Sequence, residues 1–243
     1  MTTRPTGKTT SEPTIESDGK QALLFDMDGV ILEGDGTDPD VHARAFRDAV
    51  DDLDFDLDPE VPLESLFPLE TDEYTETFAR ACQELGLEPA EFYALREEYS
   101  AKRSIDRIRD GTRGLYDDVD VLDVLDELER GHPVGLVSNN YDPTVSFVVD
   151  HFDLEAFSFV RGRDLGVEGF RRRKPEPYYI EMALDALGLD SGIYVGDRET
   201  DLLAAQNAGL TPVLLRRPHN ETLEPSVDGY LEIDSLEELL EHL

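Results

Sequence analysis

The chain has 243 residues, 39% of them hydrophobic, with 11 Phe and 9 Tyr, enough for one large domain or a core with a smaller insert, and too much for a wholly disordered chain. Acidic residues number 56 against 22 basic ones, and a net charge of −34 repels nucleic-acid phosphate and anionic membranes, so neither is expected as a partner. No run approaches the roughly 20 apolar residues of a membrane span, the N-terminal segment lacks the apolar stretch of a secretory leader, and a single cysteine, Cys82, excludes a disulfide framework, so a soluble cytoplasmic protein is the expectation.

Residues 1–20 are rich in Thr, Ser, Pro and Gly and read as a loose tail. Gln21–Asp26 is a short apolar run ending in acids and Gly29, the pattern of a buried parallel strand. From Glu33 to Arg113 the composition changes to stretches of helical period with no strand between them (VHARAFRDAV, EYTETFARACQEL, PAEFYALREEYSAKRSIDRI). Cys82 falls on one of these amphipathic helices and reads as packing.

After Gly114 strands and helices alternate. A helix is predicted near Asp117–Arg130, a strand at Pro133–Ser138, a helix near Thr144–His151 and a weak strand around Ser158–Arg161. Helix Pro177–Leu187, strand Gly192–Gly196, helix Glu199–Ala208, strand Pro212–Leu215 and a final helix from Ser235 follow. This predicts an α/β fold with an open, Rossmann-like parallel sheet covered on both faces. Residues 21–32 and 114–243 form its core, and residues 33–113 are a helical domain inserted after the first strand.

In such a sheet ligands bind at the carboxyl ends of the strands. The predicted ends carry Asp26-Met27-Asp28-Gly29, Ser138-Asn139-Asn140 and Gly196-Asp197, with Asp201 four residues on and Lys174-Pro175 opening a helix. Lys174 is one of only four lysines, against 18 arginines. Carboxylates brought that close repel one another unless a cation joins them, and hard oxygen donors of this kind suit Mg²⁺.

Asp26-x-Asp28-Gly29-Val30, the apolar strand into Ser138-Asn139, Lys174-Pro175 and Gly196-Asp197-x-x-x-Asp201 resemble, in order, the four motifs of the haloacid dehalogenase superfamily. The resemblance covers about residues 21–216. It implies Asp26 as nucleophile and Asp28 as general acid/base. Ser138 and Asn139 would hold the phosphoryl oxygens, and Lys174 would neutralise nucleophile and phosphate. Mg²⁺ would lie on the Asp26 side chain, the Asp28 backbone carbonyl and Asp197, with Asp201 orienting Lys174 or the metal waters. Positioning and charge neutralisation are what phosphoryl transfer requires.

Asp28 discriminates further, because the namesake dehalogenases lack a second acid, so a phosphatase or phosphomutase is implied. The insert resembles the small helical cap of the subfamily that includes phosphoglycolate phosphatase and β-phosphoglucomutase. A Mg²⁺-dependent phosphatase acting on a small phosphomonoester, phosphoglycolate or a sugar phosphate, is the expected function, with a phosphomutase as alternative and a non-enzymatic regulatory member behind it. His42 either faces the site or is an ordinary helix-surface residue. Arg103 and Arg107 bind an anionic substrate group or are solvated helix pairs, and Arg171–Arg173 raise the potential at the site mouth or balance nearby acids. The acid-rich, lysine-poor composition resembles that of salt-adapted halophile proteins, in which concentrated cations screen self-repulsion. No segment reads as a coiled coil, and monomer and homodimer stay open.

Overall fold

The computed structural model describes residues 19–34, 36, 38–53, 73–116 and 121–243. The expected tail falls almost wholly outside them. A six-stranded sheet of parallel strands has the order β3-β2-β1-β4-β5-β6, with β1 at Ala22–Phe25, β2 at Val134–Tyr141, β3 at Phe157–Arg163, β4 at Gly192–Gly196, β5 at Thr211–Leu215 and β6 at Leu231–Ile233. β1 lies between β2 and β4, with Phe25 level with Leu136 on one side and Val195 on the other. The winding direction reverses between β1 and β4, the switch point at which an open α/β sheet leaves a crevice.

Alternation along β1 divides the core. Leu23 and Phe25 join a cluster with α4 (Val121–Glu129) and α5 (Asp142–His151), while Ala22 and Leu24 face α7 (Tyr178–Leu187) and α8 (Glu199–Asn207). Both faces are therefore covered, which is why the strands read as continuous apolar runs.

Between β1 and β2 the chain makes α1 (Pro39–Asp52), α2 (Glu76–Glu84) and α3 (Pro89–Arg109). Each starts at a polar cap: Asp38 accepts from the Asp40 N–H, Thr75 Oγ1 from the Phe78 N–H, and Glu88 from the Ala90 and Glu91 N–H groups. Their apolar faces meet in a cluster of their own, Phe46, Phe78, Cys82, Phe92 and Tyr93. Cys82 is buried there, and burial pushes its thiol pKa up to about 12.

Three details differ from expectation. A short helix, α6 (Gly166–Arg171), follows β3, where two glycines hide the helical signal. β6 is three residues long and has no readable alternation. The final helix, α9, is confined to Leu239–His242 instead of starting at Ser235. No helix among the described residues is long and apolar enough to cross a membrane.

Candidate active site

The carboxyl ends of β1, β2 and β4 bring together residues far apart in the chain. Asp26 and Asp28 follow β1, Ser138 and Asn139 lie near the end of β2, and Asp197 follows β4. Asp26, Asp28, Ser138, Lys174, Asp197 and Asp201 are all buried. Two glycines make the convergence possible. Gly29 has φ +79° and passes so close to Asp197 that a Cβ there would lie 2.1 Å from its Oδ2; a Cβ on Gly196 would lie 2.2 Å from the Asp201 Cβ.

Lys174 is the hub. Its Nζ is 2.9 Å from Asp26 Oδ1 and 2.6 Å from Asp201 Oδ1, and it donates to the Tyr194 hydroxyl at 2.6 Å. Burial works against the ammonium, but Asp201 and Asp26 outweigh it and hold the pKa well above the usual lysine value. Lys174 precedes α7 and is not in it, and its backbone is fixed by Asn139. The Asn139 Oδ1 accepts from the Lys174 N–H at 2.8 Å and its Nδ2 donates to the Lys174 carbonyl at 3.1 Å. Asn139, expected at the phosphate, thus uses its side chain to position the lysine.

Asp201 is similarly engaged at both oxygens, since its Oδ2 accepts from the Arg198 N–H at the start of α8. Asp197 is not. Its Oδ2 meets His219 Nε2 at 2.5 Å, and its Oδ1 is buried with no hydrogen-bond partner among the described residues. Burial, Asp201 and Asp26 push Asp197 up to about 8 against the pull of Arg198 and Lys174. Burial likewise raises Asp26, to about 6, although Lys174 opposes it.

One oxygen each from Asp26, Asp197 and Asp201 lie within 4.8 Å of one another. A buried set of hard oxygen donors on three acids, with the unpartnered Oδ1 of Asp197 among their side-chain atoms, fits a divalent cation.

Asp28 is held from two sides. Asn140 Nδ2 donates to its Oδ2 at 3.0 Å, and Arg113 Nη2 lies 2.7 Å from its Oδ1. A cavity of about 190 Å³ opens over these groups, lined by Asp26, Asp28, Ser138, Asn139, Lys174 and Asp201 together with His42, Arg163, Arg173 and Arg198.

His42 thus reaches the cavity from α1, with its Nδ1 3.3 Å from the Ser100 hydroxyl of α3. Arg103 and Arg107 do not reach it. Arg103 forms a two-point pair with Asp48, and Arg107 pairs with Asp38 at 2.6 Å, around a separate depression between α1 and α3. Of the basic run, Arg173 lines the cavity, whereas Arg171 pairs with Glu168 on the surface.

Arg113, Arg163, Tyr194 and His219 are not singled out by the sequence. Their partners lie at long range in the chain and no local motif announces them.

A family model of haloacid dehalogenase-like hydrolases matches residues 20–209. The phosphoglycolate phosphatase of Aliivibrio fischeri is 28% identical over 218 residues, 88% of this chain and 91% of that one. Pyrophosphatase PpaX of Listeria welshimeri is 27% identical over 188 residues, 76% of this chain and 78% of that one. Among solved structures, the fold is similar to that of CbbY from Rhodobacter sphaeroides in complex with phosphate, with a TM-score of 0.61 and 23% identity over 90% of this chain and 96% of that one.

Proposed function

The chain belongs to the haloacid dehalogenase-like hydrolase family, and from that premise we propose that it is a Mg²⁺-dependent phosphatase. It hydrolyses a small phosphomonoester, phosphoglycolate or a sugar phosphate, through an aspartyl phosphate on Asp26. The observation that carries this reading is the Lys174 ammonium held between Asp26 and Asp201, beside the orphan Oδ1 of Asp197. A carboxylate paired with an ammonium is ionised and ready to attack phosphorus, and the donor set beside it is suited to a cation that shares the substrate phosphate.

In the first step an Asp26 oxygen bonds to phosphorus as the bond to the leaving oxygen breaks, and Asp28 passes its proton to that oxygen. In the second, Asp28 takes a proton from water, the water oxygen attacks phosphorus, and the bond to Asp26 breaks to release phosphate. Lys174 offsets charge on Asp26 and on the phosphoryl oxygens, and Ser138, at the cavity wall, donates to one of them. Asp26, Asp197 and the Asp28 backbone carbonyl would hold Mg²⁺, which when bound neutralises charge gathering on the transferred group. With both oxygens engaged, Asp201 orients Lys174.

The helices within residues 33–113 act as a cap that excludes water and reads the leaving group, and His42 is its contribution to the cavity wall. A cavity of about 190 Å³ is smaller than the roughly 300–1,000 Å³ of a drug-sized site, which favours an ester of few carbons.

The test is phosphate release with Mg²⁺ from phosphoglycolate, p-nitrophenyl phosphate and both anomers of glucose 1-phosphate, with Asp26→Asn as blank. Release above the blank is expected, strongest for the small esters. Glucose 6-phosphate formed from the β anomer with little free phosphate makes the enzyme a mutase instead. No turnover with any ester overturns the reading.

A further inference from the structure

The two chain segments that join the core to α1–α3 are knitted together directly behind Asp28. Glu33 N–H donates to the Gly114 carbonyl at 2.9 Å, Leu32 and Leu115 form an antiparallel bridge, and Tyr116 N–H donates to the Ile31 carbonyl. Arg113 sits on the returning segment. Its Nε donates to the Glu33 carbonyl at 2.6 Å on the outgoing segment, while its Nη2 lies 2.7 Å from Asp28 Oδ1. Both partners of this ion pair are largely withdrawn from solvent, with side chains 12% exposed. Arg113 is not among the residues that line the cavity.

From this we infer that Arg113 is a positioning residue for the acid/base: it fixes the direction of the Asp28 carboxylate and couples it to the junction on which the helical insert turns. The inference rests on the reading of Asp28 as the group that protonates the leaving oxygen. Two features of the geometry support it. A different segment stands at each oxygen of the Asp28 carboxylate, Asn140 of β2 with a hydrogen bond at Oδ2 and Arg113 with an ion pair lacking hydrogen-bond alignment at Oδ1, so the surroundings of the carboxylate depend on the relative position of insert and sheet. The same guanidinium reads both crossings at once, so a shift of either changes what holds Asp28. The guanidinium spans the two, with Nε hydrogen-bonded to Glu33 and Nη2 ion-paired with Asp28, where a lysine's single ammonium cannot.

A positioning role predicts dependence on the leaving group. An alkyl phosphate needs its departing oxygen protonated, whereas p-nitrophenolate leaves with little help. The experiment measures kcat and KM for phosphoglycolate and p-nitrophenyl phosphate in wild type, Arg113→Gln, Arg113→Lys, Asp28→Asn and the Asp28→Asn/Arg113→Gln double variant. Arg113→Gln should lower kcat on phosphoglycolate by roughly 10²-fold, within the range of general-acid catalysis. That loss should exceed the loss on the aryl ester by about tenfold or more, with the larger change in kcat and not in KM. Arg113→Lys, which keeps the cation, should recover part of it.

In the Asp28→Asn background the Arg113→Gln change should add less than about threefold, because two residues acting through one group are not additive. Equal losses on both esters, or a full further loss in the Asp28→Asn background, would give Arg113 a purely structural role and overturn the inference. If Asp28→Asn itself leaves phosphoglycolate turnover intact, the assignment of the acid/base fails, and the role of Arg113 with it. A wild type inactive on both esters overturns the phosphatase reading first.

Discussion

Two clusters of buried charge lie a short distance apart in this molecule, and they are built to opposite rules. One is the pair Glu97–Arg163, between α3 and the end of β3. Glu97 Oε1 is 2.6 Å from Arg163 Nη2, its Oε2 accepts from the Gly166 N–H at 2.6 Å, Arg163 Nε donates to the Asn139 carbonyl, and the guanidinium lies over the Tyr141 ring at 4.6 Å. Both carboxylate oxygens of Glu97 have partners.

The other is the strand-end group, where Asp26 and Asp201 share the single ammonium of Lys174, and Asp197 beside them meets His219 and leaves its Oδ1 without a hydrogen-bond partner among the described residues. A closed pair fastens the helical insert to the sheet. An open group is stable only in company, and the company it suits is a cation and a phosphate.

Breaking each cluster should have a different signature. The largest effect is on turnover: Asp26→Asn should lower phosphate release by about 10⁴-fold or more, the scale of losing a covalent nucleophile. Its melting temperature in EDTA should match or exceed that of wild type, because an under-compensated carboxylate has gone. A fall in stability there would mean the open cluster is a fastener after all.

Glu97→Ala should do the reverse in kind. It strands Arg163 in a buried place and should lower unfolding free energy by roughly 3–5 kcal/mol, read from the urea midpoint. A loss under about 1 kcal/mol would contradict the closed-pair description.

The pH response sharpens the contrast. Asp26 and Asp197 stand at about 6 and about 8 when folded, against 3.8 for an ordinary aspartate. Between those limits these two carboxyls bind more protons in the folded chain than in the unfolded one, so their contribution to stability should fall as pH rises from about 4 to 8 in EDTA. Urea midpoints measured across that range check it, and Asp197→Asn should remove much of the slope. A midpoint that rises with pH would reverse the sign.

Salt should act on neither cluster, because buried pairs are poorly screened. It should act on the surface, where a net charge of −34 repels itself. Lowering KCl from about 1 M to 0.1 M lengthens the screening distance from about 3 to 10 Å and should reduce the melting temperature. A flat salt dependence would set aside the likeness to halophile proteins.

The two clusters were not equally legible in the sequence. Asp26, Asp28, Ser138, Asp197 and Asp201 are readable because each stands near the end of an apolar run or the start of a helix, where a parallel sheet exposes polar groups, and Lys174 because it is one of four lysines, in a Lys-Pro pair ahead of α7. The order of strands and helices follows from the same alternation. Glu97 and Arg163 are invisible to it. Each is one more charge in a chain that is 32% charged, and only the packing of α3 on β3 and α6 makes them partners.

The same holds for Arg113 and Asp28, and for His219 and Asp197. Arg103 and Arg107 illustrate the converse. Their spacing along α3 suggests a basic face, but acids from the first insert helix and its cap stand opposite and absorb it.

β1 lies mid-sheet, yet its two neighbours arrive at very different times. β2 comes after the whole helical insert, and β4 later still, carrying Asp197 to within contact of the Gly29 turn. At a synthesis rate of about 5–20 residues per second, Asp26 leaves the ribosome roughly ten seconds or more ahead of Asp197. Until then β1 has an open edge on its β4 side, and an acid-tipped strand waits without half of its donor set. The centre therefore cannot assemble until β4 has been made, and a truncated chain ending before β4 would retain Asp26 and Asp28 but lack Asp197 and Asp201.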